Sequence, residues 1–172
     1  MTLLAAPTGR IQTATAIFLM LAMAVTVGTA LGFEHIGGYL PCKLCLEQRI
    51  PYYVGIPLMA LATVSSLAHW PAWLTRTLLF AGGLLMAYGL YLGVKHSGVE
   101  WGWWAGPTDC GAIVGSPDTG GKGVLDIIDQ VVPPSCDRAA LRVLGLSFAG
   151  WNAIASLALA AVALRGAFAK AA

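Results

Sequence analysis

Four stretches of this chain contain no Asp, Glu, Lys or Arg: Ile11 to Phe33, Ile50 to Trp73, Thr77 to Val94 and Val143 to Leu164. No other feature restricts the possible folds so strongly. A helix rises about 1.5 Å per residue, so about 20 residues cross a hydrocarbon core of about 30 Å. Each stretch reaches or approaches that length, the third with least to spare. In lipid, backbone N–H and C=O groups must be paired within the segment, so runs this continuous belong in helices. Composition agrees, with 58% apolar and 10% charged residues, against about 25% charged in soluble domains. The expected fold is an all-α membrane protein, a four-transmembrane-helix bundle in a single domain, with helices at about 11–33, 50–68, 74–94 and 145–165. A signal peptide led by Arg10 is the alternative for the first stretch, but the run is long and no clean A-x-A site follows it.

The charges sort by side. All eight acidic residues fall in two segments, Glu34 to Glu47 and Glu100 to Asp137. The opposite side holds the N-terminus, the His69 to Arg76 connection and the C-terminus, with Arg10, Arg76, Arg165, Lys170 and no acids. That resembles a cytoplasmic face, although counting Lys and Arg alone gives six on the cysteine-bearing side. The cysteines favour the same orientation, because lasting disulfides belong in an oxidising compartment. The plan has both termini inside and two outer loops, 34–49 and 95–144.

Within the second loop, GVLDIIDQVVPP reads as a short amphipathic helix, with Val124, Ile127, Ile128 and Val131 on one face, lying flat at the membrane surface. Trp101, Trp103 and Trp104 read as interfacial anchors. Gly82, Gly83, Gly89 and Gly93 read as close helix packing, and Asn152 as an interhelical hydrogen bond. Pro57 should kink the second helix or free a carbonyl.

The four cysteines, Cys42, Cys45, Cys110 and Cys136, all lie on the proposed outer side. A four-cysteine zinc site usually shows C-x-x-C twice, whereas this chain shows it once and has no His near Cys110 or Cys136. Two inert disulfides would suit the later pair better than the first. A bond across C-x-x-C closes so small a ring that it restrains little chain, which favours a reversible couple. Cys45 stands near the expected N-terminus of the second helix, and Arg49 lies one turn further on. Both features favour a thiolate.

The pattern P-C-x-x-C-x-x-x-R over Pro41 to Arg49 opens a transmembrane helix, and a later cysteine pair sits in a long loop before PPSCDRAALRVLGLSFAGWNA. In these features the chain resembles the DsbB family of bacterial inner-membrane, quinone-linked thiol oxidases. The resemblance spans nearly the whole chain. It implies catalytic Cys42, Cys45, Cys110 and Cys136, expected as Cys42–Cys45 and Cys110–Cys136 pairs facing the periplasm. A reduced DsbA-like, thioredoxin-fold partner would attack Cys110 and release Cys136. The Cys42–Cys45 disulfide would then re-oxidise the loop pair, and Cys45 would reduce ubiquinone, or menaquinone, beside Arg49. His96 is a candidate proton or quinone contact, with a plain interfacial histidine as the other reading. Family members often carry an acidic residue just before the arginine, where this chain has Gln48. No metal, haem, flavin or nucleotide is expected. The competing readings are a non-catalytic scaffold with two structural disulfides and a reductant conduit running the opposite way. The conduit should place reactive cysteines within the helices, and there are none.

Overall fold

The computed structural model describes residues 9–107 and 135–170. Along the chain come α1 (Arg10–His35), α2 (Lys43–Glu47), α3 (Ile50–Leu67), α4 (Ala72–Glu100), β1 (Arg142–Val143), β2 (Leu146–Ser147) and α5 (Phe148–Phe168). Among the described residues, four segments are long and apolar enough to cross a membrane: α1, the Lys43–Leu67 span made of α2 and α3, α4 and α5. The protein is a multi-pass membrane protein built as a four-helix bundle. Its outward faces carry Phe18, Leu21, Val25, Leu61, Leu84 and Leu157, all exposed in the isolated chain. Such a surface is a liability in water and the ordinary boundary with lipid.

Lipid offers no hydrophobic drive for helices to associate, so close packing through small residues must hold the bundle together. The α4–α5 seam shows how. Gly83 faces Leu164, Gly89 faces Ser156, and Gly93 lies against the backbone of Ala153. A Cβ at Gly93 would stand 2.9 Å from the Ala153 nitrogen and 3.0 Å from its Cα. Deeper in the core, Met23 lies against Gly55 and Met59 against Gly82.

Prolines and glycines punctuate the helices. Pro51 has no N–H to offer the Glu47 carbonyl, and its ring crowds that oxygen, so the ladder breaks between α2 and α3. Pro57 leaves the Tyr53 carbonyl without its usual donor, yet α3 runs through it. The end of α4 is a Schellman motif: Gly102 takes φ +72°, Trp103 N–H reaches the Gly98 carbonyl at 2.9 Å, and Gly102 N–H reaches Val99 at 3.1 Å. The sequence suggested an end near 94, at the first charge. Nothing in Lys95 to Glu100 breaks a helix, so α4 continues until Gly102 can reverse the chain.

Before α5 a two-residue hairpin turns through Leu144 (φ 53°) and Gly145 (φ 85°), pairing Arg142 with Ser147 and Val143 with Leu146. Ser147 then caps α5 by accepting the Gly150 N–H at 3.2 Å. At the opposite end of the bundle, side chains tie the helices together. Thr13 and Ser66 hydroxyls meet at 2.6 Å, Ser65 and Thr75 at 2.8 Å, and buried Arg76 donates to the Ala167 carbonyl at 2.7 Å. The expected amphipathic helix of GVLDIIDQVVPP lies outside the described residues.

The Gly93 contact predicts an asymmetry. Gly93→Val should destabilise the protein by about 1–3 kcal/mol through overpacking against backbone that cannot yield. Gly28→Ala, with nothing within 4 Å of its Cβ, should leave stability unchanged or raise it by up to about 1 kcal/mol. Unfolding in detergent, followed by circular dichroism, measures both.

Candidate active site

The break before Pro51 leaves α2 as a short helix of its own, and its N-cap is Cys42. The Cys42 backbone is extended there (φ −77°, ψ 170°), and its Sγ accepts the Cys45 backbone N–H at 3.3 Å. The helix terminus therefore serves Cys42, one turn earlier than the residue for which the sequence suggested it. The two sulfurs stand 2.7 Å apart as free thiols, so the expected Cys42–Cys45 bond is not formed in this structure. Cys136 is disulfide-bonded, to neither of these. Cys110 lies outside the described residues.

Cys42 faces inward. It is 3% exposed and packs with Leu44, Val99 and Cys136. Its Sγ, the His96 Nε2 and the Cys136 Sγ all lie within 4.8 Å of one another. His96 Nε2 is 3.7 Å from the Cys42 sulfur and 3.8 Å from Glu100 Oε1. A hydrogen bond from the Cys45 thiol, the contact with His96 and the Cys45 backbone N–H together outweigh burial and bring the Cys42 thiol down from 9.0 to about 5.

Cys45 faces the other way. It borders a cavity of about 360 Å³ whose walls include Val25, Phe33 and Phe148 and whose polar groups include Gln48, Arg49, Tyr52 and Asn152. Arg49 is ion-paired with Glu34 of α1. The C-x-x-C thus divides two environments. One sulfur meets the Cys136 disulfide, and the other borders an apolar chamber with a cation at its edge.

Of the residues singled out by sequence, Cys42, His96 and Cys136 form one cluster, while Cys45 and Arg49 share the cavity. Five further side chains complete the site. Gln48 Nε2 lies 2.6 Å from His96 Nδ1, and Asn152 Nδ2 donates to Gln48 Oε1 at 2.7 Å. Tyr52 O–H donates to Asn152 Oδ1 at 2.7 Å. Glu34 and Glu100 were visible only as charges outside the apolar runs. A polar residue inside such a run was the available signal for Asn152, and an interhelical bond is what it makes.

The donor set also bears on metal binding. Two sulfurs and an imidazole this close resemble part of a zinc site, but zinc binds thiolate, and the Cys136 sulfur is committed to a disulfide. In this redox state only Cys42 and His96 of the three remain as donors.

A family model described as disulfide bond formation protein DsbB matches residues 12–165. Comparison with curated proteins and with solved structures gives no match.

The local electrostatics make a prediction. Cys42 ionises as pH rises through about 5, so its alkylation by iodoacetamide should be nearly flat above pH 6. Below the midpoint it should fall about tenfold per pH unit, as the thiolate fraction does. Cys45→Ala removes the largest stabilising contact and should move the midpoint up toward the ordinary thiol range of about 8.5. Peptide-resolved mass spectrometry of the reduced protein reads the profile, and a wild-type midpoint above 8 would refute the assignment.

Proposed function

The chain belongs to the DsbB family of membrane oxidoreductases for disulfide bond formation, and from that premise we propose that it re-oxidises a DsbA-like, thioredoxin-fold dithiol protein and passes the electrons to quinone. The observation that carries this reading is the opposite outlook of the two C-x-x-C sulfurs, Cys42 toward Cys136 and Cys45 toward the cavity. The proposed orientation puts both cysteine pairs in the periplasm and the termini in the cytoplasm, in a bacterial inner membrane.

The relay balances at each exchange. A partner thiolate attacks Cys110, the Cys110–Cys136 bond breaks, and the partner's second thiol closes its own disulfide, leaving Cys110 and Cys136 reduced. The Cys136 thiolate then attacks Cys42, and Cys45 leaves. Cys110 displaces Cys42 from Cys136, restoring the loop disulfide and leaving Cys42 and Cys45 as a dithiol. The structure holds the first pair in that form, with Cys136 bonded. Thiolate access governs each attack, and Cys42 within 4.8 Å of Cys136 satisfies it.

The cavity suits a quinone ring: it is of fitting volume, mostly apolar, and carries donors at one side in Arg49 and Asn152. A bound quinone supplies a two-electron, two-proton acceptor. Cys45 borders that space, so it is the sulfur placed to give up electrons. The Cys42 thiolate, 2.7 Å away, closes the S–S bond as they leave. The Arg49 guanidinium, held by Glu34, offers hydrogen bonds to an oxygen that gains negative charge. The Cys45 thiol proton leaves with the electron pair, and the second proton comes from water, since Cys42 has already released its own.

The test uses purified protein in detergent, a reduced thioredoxin-like dithiol protein and a ubiquinone analogue, with quinone absorbance followed anaerobically. Wild type should consume quinone, and Cys45→Ser and Cys110→Ser should each reduce the rate at least about a hundredfold, since each interrupts a sequential relay. A menaquinone analogue run in parallel assigns the acceptor. No consumption with either quinone and a competent donor would refute the proposal and favour the stapled scaffold.

A further inference from the structure

His96 can carry its proton on either ring nitrogen, and the surrounding bonds select one. Gln48 Nε2 lies 3.3 Å from the Leu44 carbonyl oxygen. A carbonyl can only accept, so the amide nitrogen of Gln48 is on that side and its oxygen is on the other. That oxygen accepts from Asn152 Nδ2 at 2.7 Å, and Asn152 Oδ1 in turn accepts the Tyr52 hydroxyl proton at 2.7 Å. Each amide is thereby oriented by its neighbour. What Gln48 presents to His96 Nδ1, at 2.6 Å, is an N–H donor, so Nδ1 must be the bare, accepting nitrogen.

The other side of the ring is compatible with this. Nε2 faces the Cys42 sulfur at 3.7 Å, which can donate or accept, and the carboxylate oxygen Glu100 Oε1 at 3.8 Å. The second Glu100 oxygen is buried with no hydrogen-bond partner among the described residues. Those two contacts are long, whereas the Gln48 bond is short, so Gln48 dominates the choice of tautomer.

We propose that Gln48 is a positioning residue that fixes His96 as the Nε2–H tautomer, so that Nε2–H is directed at the Cys42 sulfur. Gln48 touches neither reacting sulfur and acts through the imidazole. The same tautomer leaves Nε2 without a lone pair for a metal ion. Directed N–H donation favours the Cys42 thiolate, alongside the groups that face it from α2 and α4: the Cys45 thiol and backbone N–H, and His96 with Glu100 behind it. The functional meaning of the proposal rests on Cys42 being a relay sulfur. The tautomer itself does not.

The decisive measurement is a nitrogen-15 NMR spectrum of the full chain in detergent, labelled at histidine, with His35→Asn and His69→Asn leaving His96 as the single histidine. The expected spectrum shows an unprotonated, pyridine-type Nδ1 and a protonated, pyrrole-type Nε2. In Gln48→Leu the two shifts should converge as both tautomers become populated, and Asn152→Leu should produce the same change more weakly by releasing the far end of the amide. Cys42 alkylation at pH 5 should fall about two- to fivefold in Gln48→Leu, the equivalent of one lost hydrogen bond for a thiol half ionised at that pH. A protonated Nδ1 in this single-histidine protein overturns the proposal, and that result does not need Gln48→Leu to fold. Unchanged shifts in a folded Gln48→Leu overturn it as well. Failure of quinone reduction would leave the nitrogen spectrum untouched, so the two proposals fail separately.

Discussion

Pro51 cannot donate a hydrogen bond, and the arrangement of the reactive end depends on that one missing N–H. Had the ladder run on unbroken from Lys43 to Leu67, Cys42 would still start a helix, but Gln48 and Arg49 would sit inside a regular one. Instead both lie in the step between α2 and α3. From there Gln48 turns toward α4 and α5, where it meets His96 and Asn152. Arg49 turns toward α1 and meets Glu34. Two neighbours in sequence bond to different helices because the helix that carries them is interrupted where they stand.

Polar groups at this depth have few partners, and an unpaired one costs several kcal/mol or so. The bundle meets this demand with a line of oriented bonds from Tyr52 through Asn152 and Gln48 to His96, crossing three of the four spans. Neutral amides are suited to such a line because each donates on one side and accepts on the other. The Arg49–Glu34 pair places full charges at the bundle's end, next to the loop region. Glycine packing between α4 and α5 sets how closely the partners can approach: Gly93 lets α4 settle on Ala153, one residue beyond Asn152.

The four spans could be read from sequence because lipid penalises charge at every position along a helix, leaving an uninterrupted record in the chain. The division of the cysteines into two pairs was readable for a related reason: C-x-x-C is a local spacing. The line from Tyr52 to His96 was not. It joins positions 48, 52, 96 and 152, which come together only when three helices take a particular register. Gln48 stood out only as a departure from the family's usual residue. Glu100 looked like part of a loop, since the first charge after an apolar run normally marks the water boundary. The Schellman turn at Gly102 carried it into the helix. The choice of sulfur at the helix cap could not be settled either, because a shift of three residues decides it.

Cys42 and Cys136 are 3% and 2% exposed. Small thiols such as glutathione fill the aqueous surroundings of many membranes, and any of them could attack an accessible disulfide and discharge it. Burial this deep slows a tripeptide thiol, which is bulky and must approach along the S–S axis. The packing of Leu44 and Val99 around this pair therefore acts as insulation on a wire. In the proposed relay, oxidising equivalents would leave by contacts that the protein itself arranges, and the side chains that hold the junction together would also limit leakage into the thiol pool.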